Sequence, residues 1–353
     1  MRMGIVGFPY SGKTTVFCAV SGLTRDHLKP AEESLAAVKI PEPRLDFLVG
    51  LYNPRKRTEA TMDFVDLPGS AEGDDEKAGL DKHLPTLRET DGLLVVVRAF
   101  ESTTVAPHMG AIDPQRDVHA LREEMLFADL LMCATRVDRL EKAIGKPTKE
   151  RDAQKHELLV LQRCQAALEH GKPLRNVIQP GEEEKMVRSF GFLTQKPCVV
   201  VVNVSETAAG QDPPFRDEHA ADTIALAASL EAEIVQMDAA DRPAFMQEYG
   251  IAALARDRIL RACFDALGMI AFLTCGEDEC RAWPIRKGMT AVEAAGRIHS
   301  DLERGFIRAE TIAFDELHAA GNMRNAKAAG KLRQEPKSYV VQDGDILNIK
   351  FNV

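Results

Sequence analysis

Short, nearly continuous apolar runs punctuate the chain at Met3 to Val6, Met62 to Val65, Gly92 to Val97 and Pro197 to Val202. Runs of this length, separated by helical stretches, suit strands covered on both faces, and they predict an α/β fold with a mostly parallel sheet. From Asp117 to Gly171 the period becomes helical. Leu121, Met125, Ala128 and Met132 share one face, as do Leu158, Leu161 and Leu168 after the break Gly145-Lys146-Pro147, so two antiparallel helices are expected. Past Cys275 the texture changes again. Ser338 to Val341, the pair Asp343-Gly344, and Ile346 to Phe351 predict a hairpin with an Asp-Gly turn inside a separate small domain.

Directly after the first apolar run, residues 7 to 14 read Gly-Phe-Pro-Tyr-Ser-Gly-Lys-Thr, a complete G-x-x-x-x-G-K-T phosphate loop, and the helix expected from Lys13 to Ser21 follows it. In such a loop glycines let the backbone aim N–H groups at phosphate oxygens, the lysine reaches the β- and γ-phosphates, and the threonine hydroxyl ligates Mg²⁺. Gly7, Tyr10, Ser11, Gly12, Lys13, Thr14 and Thr15 are therefore the expected nucleotide-binding residues. The run Met62 to Val65 ends in Asp66-Leu67-Pro68-Gly69. One strand after a phosphate loop, this D-x-x-G pattern makes Asp66 the second expected Mg²⁺ residue beside Thr14, and Gly69 a γ-phosphate contact acting with Lys13 in catalysis. After the fourth run comes Asn203-Val204-Ser205-Glu206, where a GTPase would carry N-K-x-D. The guanine-reading aspartate is displaced, which weakens the case for GTP.

Composition narrows the class. With 353 residues the chain holds two or three domains, and a formal net charge of -9 argues against a general DNA-binding surface. No stretch has the length and apolarity of a membrane span and no signal peptide is evident, so the cytoplasm is the expected compartment, with neither membrane nor sequence-specific DNA as partner. The seven cysteines, odd in number and without a C-x-x-C pair, suit reduced thiols rather than a disulfide framework or zinc site.

Several longer segments carry a family resemblance: Pro43-Arg44-Leu45-Asp46, Arg88-Glu89-Thr90-Asp91, Val97-Arg98-Ala99-Phe100-Glu101, Asn203-Val204-Ser205-Glu206, Arg281-Ala282-Trp283, Ala294 to His299, Glu303 to Glu310, Ala328 to Lys331, and Val341 to Asp345. The chain resembles the YchF/Obg-like ATPase family over essentially its whole length. The resemblance implies a P-loop nucleotide domain over 1–275 with a helical arm inserted at 115–190, and a C-terminal TGS domain of β-grasp fold over 276–353. It also implies ATP as substrate, Mg²⁺ as cofactor, and the ribosome or its subunits as partner. The family's Asn-x-x-Glu segment, associated with adenine preference, is matched by Asn203 and Glu206, with Val204 between them at the base site.

The chain also departs from that family. Tyr10 stands where members commonly carry Asn, and Pro30 falls near the expected switch threonine, whose hydroxyl a proline lacks. Ser70 occupies the place of a water-orienting glutamine in several GTPases, and His83 lies in a segment resembling a second switch loop. Residues 276–353 hold twelve basic and twelve acidic side chains, which gives no electrostatic sign of RNA contact. The leading expectation is a slow ATPase serving as a nucleotide-controlled switch in translation. A GTPase of the same fold and a nucleotide-binding module with negligible hydrolysis are the alternatives.

Overall fold

A computed structural model describes residues 1–29, 32–68, 80–145 and 150–352. In chain order the elements are β1 (Arg2–Val6), α1 (Lys13–Ser21), β2 (Ser34–Lys39), α2 (Arg44–Tyr52), β3 (Lys56–Thr58), β4 (Thr61–Asp66), α3 (Leu84–Glu89), β5 (Gly92–Ala99), α4 (Pro114–Ile144), α5 (Arg151–Glu169), α6 (Glu182–Val187), β6 (Cys198–Val204), β7 (Thr223–Leu226), α7 (Ala228–Gln236), α8 (Arg242–Glu248) and α9 (Ala255–Ala266). Then follow β8 (Met269–Thr274), β9 (Glu279–Arg286), α10 (Ala291–Ile298), α11 (Ser300–Arg304), β10 (Phe306–Ala313), α12 (Phe314–Ala320), α13 (Met323–Ala328), β11 (Arg333–Glu335) and β12 (Asp345–Phe351). They form two compact units, 1–36 with 63–259, and 37–62 with 260–353.

The first sheet has the order β2-β4-β1-β5-β6-β7. Pairing is parallel from β4 through β7, with Gly4 opposite Val65 and Leu93, and Val201 opposite Val96 and Ile224. All four expected apolar runs are strands of this sheet, because helices and loops cover both of its faces and alternation is not required. β7, a fully buried four-residue strand, was not among the expected runs.

Between β5 and β6 the chain runs out through the helical pair α4 and α5. Asp113 caps α4 by accepting a hydrogen bond from the Arg116 N–H at 3.0 Å, and Pro114 opens the helix where no N–H partner is needed. The two helices lie antiparallel, with the Cys133 thiol donating to the Leu161 carbonyl and Arg136 paired to Glu157. Their core holds Cys133, Val137, Leu140, Val160, Leu161, Cys164 and Leu168. The buried stripe of α4 passes through Asp129 and Cys133, so Ala128 and Met132, expected on the core face, are only half-buried.

Asp129 is fully buried and fully used. It accepts from Arg88 Nη1 (2.9 Å), the Leu193 N–H (3.1 Å), and the Thr194 N–H and hydroxyl (both 2.8 Å). Asp129→Ala would strand the Arg88 guanidinium and these donors, and should cost about 3 kcal/mol of stability in urea unfolding. Parent-like stability would show that water replaces the carboxylate.

In the second unit the sheet order is β11-β10-β12-β8-β9-β3, built mainly from antiparallel pairs. Phe272, Ile285, Ala294, Phe306 and Leu347 form its core with α10. The expected boundary between 275 and 276 falls inside this unit, because β8 pairs with both β9 and β12. The expected terminal hairpin is corrected. β12 pairs antiparallel with β10 and parallel with β8, so both of its edges are taken, and near Val340 the chain makes only an isolated bridge to Thr290. The Asp-Gly turn does exist, with Gly344 at φ 82°, but it leads into β12 from a loop rather than from a partner strand.

All seven cysteines are free thiols. Among the described residues no helix is long and apolar enough to cross a membrane.

Candidate nucleotide site

The site is assembled where β1 turns into α1. Gly7 lets the loop lie flat on β5, since a Cβ there would sit 2.3 Å from the Val96 carbonyl oxygen and 2.8 Å from Ser11 Oγ. Gly12, at φ 90°, occupies the N-cap of α1 and packs so closely that a Cβ would meet Asn203 Nδ2 at 2.2 Å. Tyr10 also adopts a left-handed conformation, at φ 60°, with its ring exposed. That angle suits Asn better than Tyr and costs the loop of order 1 kcal/mol.

Lys13 Nζ folds back to donate to the Gly7 carbonyl at 2.8 Å and the Phe8 carbonyl at 3.0 Å. Burial pulls its pKa down to about 8, against the opposing charge of Asp66. Asp66, at the end of β4, is pushed up by burial, while a hydrogen bond from Thr14, the Lys13 charge and the Leu67 N–H restrain the rise. Thr14 and Asp66, the two expected metal residues, therefore meet. Asp66 Oδ1 and Ser11 Oγ are buried and have no hydrogen-bond partner among the described residues. A carboxylate oxygen left bare beside a threonine hydroxyl and a lysine fits an Mg²⁺ shell. Thr15 lies one residue farther into α1, where its hydroxyl accepts from Arg25.

On the base side, Asn203 is buried at the end of β6, where Nδ2 donates to the Ser11 carbonyl at 3.1 Å and Oδ1 accepts from the Ala228 N–H at 3.2 Å. Its amide thus ties the phosphate loop to the start of α7. Val204 is buried in the sheet core, and Glu206 is exposed in the turn that follows. Gly69, Ser70 and Pro30 lie outside the described residues.

His83 is half-buried and lines a cavity with Gly7, Lys13, Leu67 and Pro68. Burial and the Lys13 charge lower its pKa, so at neutral pH the ring is uncharged there.

Some neighbours of the site escaped the sequence reading. The Phe8 ring stacks on His108 with centroids 3.8 Å apart and planes 9° apart, and Phe100, under the Arg98 guanidinium, approaches Gly12. No local pattern announces the His108 contact, because that residue sits in the irregular stretch before α4. Ala228 was findable, since Thr223 to Leu226 is a short apolar run leading to a helix.

A phosphate loop between a central parallel strand and a helix, with a buried Asp at the end of the adjacent strand, defines a P-loop nucleoside-triphosphate protein. Comparison with known proteins narrows the class. A family model described as a 50S ribosome-binding GTPase matches residues 2–132. The YchF-GTPase_C model, described as a protein of unknown function (DUF933), matches residues 269–352. The chain is 37% identical to the Ribosome-binding ATPase YchF of Bacillus subtilis, covering 100% of both sequences, and 36% identical to that of Escherichia coli O157:H7, covering 100% of this chain and 99% of the other. It is 35% identical to Obg-like ATPase 1 of Oryza sativa subsp. japonica, over 100% and 92% of the two chains. The solved structure of the Schizosaccharomyces pombe YchF GTPase superposes with a TM-score of 0.81 at 26% identity, covering 99% of this chain and 97% of that one. This chain belongs to the YchF family.

Proposed function

We propose that this chain is a Mg²⁺-dependent ATPase that uses the bound nucleotide to control its engagement with ribosomes in the cytoplasm. The observation that carries the reading is the buried cluster of Lys13, Thr14 and Asp66 at the phosphate loop, with Asp66 Oδ1 bare. The names of the relatives, ribosome-binding and ATPase, support the substrate and the partner. Lys13 meets the β- and γ-phosphates, the loop N–H groups cradle them, and Thr14 with Asp66 holds the ion, which neutralises charge on the phosphoryl oxygens. ATP is favoured over GTP, because the N-K-x-D lysine is replaced by the buried Val204 and the guanine-reading aspartate is absent from its register.

Within this reading 115–190 is the arm, and the TGS domain is the expected 276–353 together with β8, which shares its sheet, so that the nucleotide domain ends ahead of Met269. The exposed apolar side chains Phe127, Leu131 and Leu159 on α4 and α5 suit the arm to a partner surface. Turnover is slow, because Pro30 and Ser70 supply neither a metal-ligating threonine nor a water-orienting glutamine. The test is a titration with ATP and GTP at matched Mg²⁺, followed by phosphate release with and without ribosomes. ATP should bind about 10-fold or more tighter, on the scale of ~1–3 kcal/mol for mismatched polar groups at a base edge. The match to the 50S ribosome-binding GTPase model and the similarity to the Schizosaccharomyces pombe YchF GTPase favour the second reading, a GTPase. A preference for GTP in the same titration would establish it.

The lowered pKa of Lys13 sets a pH dependence. Below pH 8 the lysine enters the complex already charged. Above about 8 binding must first take up a proton, so ATP affinity should fall by up to about tenfold per pH unit toward the ordinary lysine value of 10.5. Calorimetric titration from pH 7 to pH 9.5 would read this slope, and Lys13→Arg should flatten it, because a guanidinium keeps its proton. A flat profile for the parent would mean that Lys13 does not face the phosphates.

A further inference from the structure

Beside Lys13, Thr14 and Asp66, the first unit brings a further charged side chain to the phosphate loop. Gly22, at φ 78°, ends α1 in a left-handed cap and turns the chain back. The Gln236 side chain of α7 donates to the Gly22 carbonyl, and a single 3₁₀ turn, Arg25–His27, follows. That turn is tied down. The Thr24 hydroxyl meets His27 Nδ1 at 2.7 Å, and the Leu28 N–H donates to the Arg25 carbonyl at 2.9 Å. Arg25 is exposed, yet its guanidinium reaches back to the first turn of α1, where Nη2 donates to the Thr15 hydroxyl. Burial pushes up the Cys18 thiol, one turn farther along the helix, and the Arg25 charge restrains that rise. The same charge reaches Asp66, where it adds to the Thr14, Lys13 and Leu67 contacts that hold its carboxyl down against burial.

This placement runs against simple electrostatics. The amino end of α1 carries the positive end of the helix dipole and Lys13, and its first turn holds no acidic residue. Among the described residues no carboxylate lies in ion-pair range of Arg25, and Asp66 is one carboxylate set against two cations. An anion among them removes the conflict, and the bound nucleotide supplies it. Its phosphates divide among the donors by position. Lys13 serves the β- and γ-phosphates, with the ion held by Thr14 and Asp66 beside them, whereas Thr15 lies one residue farther into α1, toward the α-phosphate.

We infer that Arg25 binds the nucleotide, with its guanidinium set against the α-phosphate beside Thr15. The inference deepens the proposed function and rests on it. Arginine suits the place, since its planar fork keeps the Thr15 bond while a second N–H meets a phosphate oxygen. A contact to the α-phosphate is made equally to ATP, to ADP and to the transition state. It therefore strengthens binding and leaves the chemical step alone.

The test is calorimetric titration of the full chain with ATP and ADP at matched Mg²⁺, alongside steady-state phosphate release. Arg25→Gln should weaken ATP and ADP alike by about tenfold, raise KM by about the same factor and leave kcat within about twofold. Its melting temperature should match the parent's, because the side chain is exposed. The gap in affinity should narrow as salt is raised. Lys29→Gln removes an equal charge from the same segment, one already paired to Glu32 at 2.9 Å, and should bind both nucleotides as the parent does. The inference fails if Arg25→Gln binds like the parent, or if Lys29→Gln loses as much affinity. It fails too if Arg25→Gln weakens ATP but not ADP or lowers kcat, which would put the guanidinium at the γ-phosphate. A melting temperature that falls together with affinity would make Arg25 a brace for its turn and overturn the contact. Should Lys13→Ala lose ATP while Arg25→Gln keeps it, this contact alone is overturned and the proposed function stands, whereas ATP binding indifferent to both changes would overturn the two together.

Discussion

Lys13→Ala is expected to weaken ATP binding by about 10²- to 10⁴-fold while leaving the fold intact. The ammonium is held at the loop by the Gly7 and Phe8 carbonyls, a geometry that turns easily toward the β- and γ-phosphates. Two hydrogen bonds to charged oxygens are worth about 1.5–3 kcal/mol each, which sets the size of the loss. The fold should tolerate the change, because Lys13 is desolvated enough to have a lowered pKa and removing its charge relieves that cost. The variant should therefore melt close to the parent and bind ATP poorly by calorimetry. Parent-like affinity would refute the assignment of the loop.

Gly7→Ala should be as damaging to binding, for a steric reason. The new methyl would sit 2.3 Å from the carbonyl oxygen of Val96. Val96 belongs to β5, which is paired on one side with β1 and on the other with β6, so this oxygen cannot retreat. The loop must lift instead, by about 1 Å, a misplacement that can cost on the order of 100-fold at a positioned site. Overpacking adds about 1–3 kcal/mol of destabilisation. Gly50→Ala is the control. Gly50 lies inside α2 with nothing within 4 Å of an added methyl, so that variant should gain about 0.5–1 kcal/mol and bind ATP normally. If Gly7→Ala bound ATP like Gly50→Ala, the close approach of loop and strand would be irrelevant to function.

The parts of the molecule legible in the sequence are those whose cause is local. β1, β4, β5 and β6 announced themselves because strands buried on both faces need uninterrupted apolar side chains. α4 and α5 were legible from their period, but the face of α4 was misjudged at Ala128 and Met132, because Asp129 reads as polar and exposed until its four partners are seen. The terminal hairpin was misread for a related reason. Asp343-Gly344 does turn the chain, yet a strand chooses its neighbours by competition among all edges, and β8 and β10 won.

The same division runs through the candidate site. Sequence alone determined that a phosphate loop stands between a strand and a helix and that an acid ends a neighbouring strand, because consecutive residues dictate that backbone. Tertiary structure decided which atoms meet. Thr14 comes to Asp66, the Asn203 amide fastens Ser11 to Ala228, His108 stacks on Phe8, and β3 joins β9 in a sheet that no local period foretells. These contacts join residues far apart along the chain, and only the packing of many side chains at once sets the distances between them.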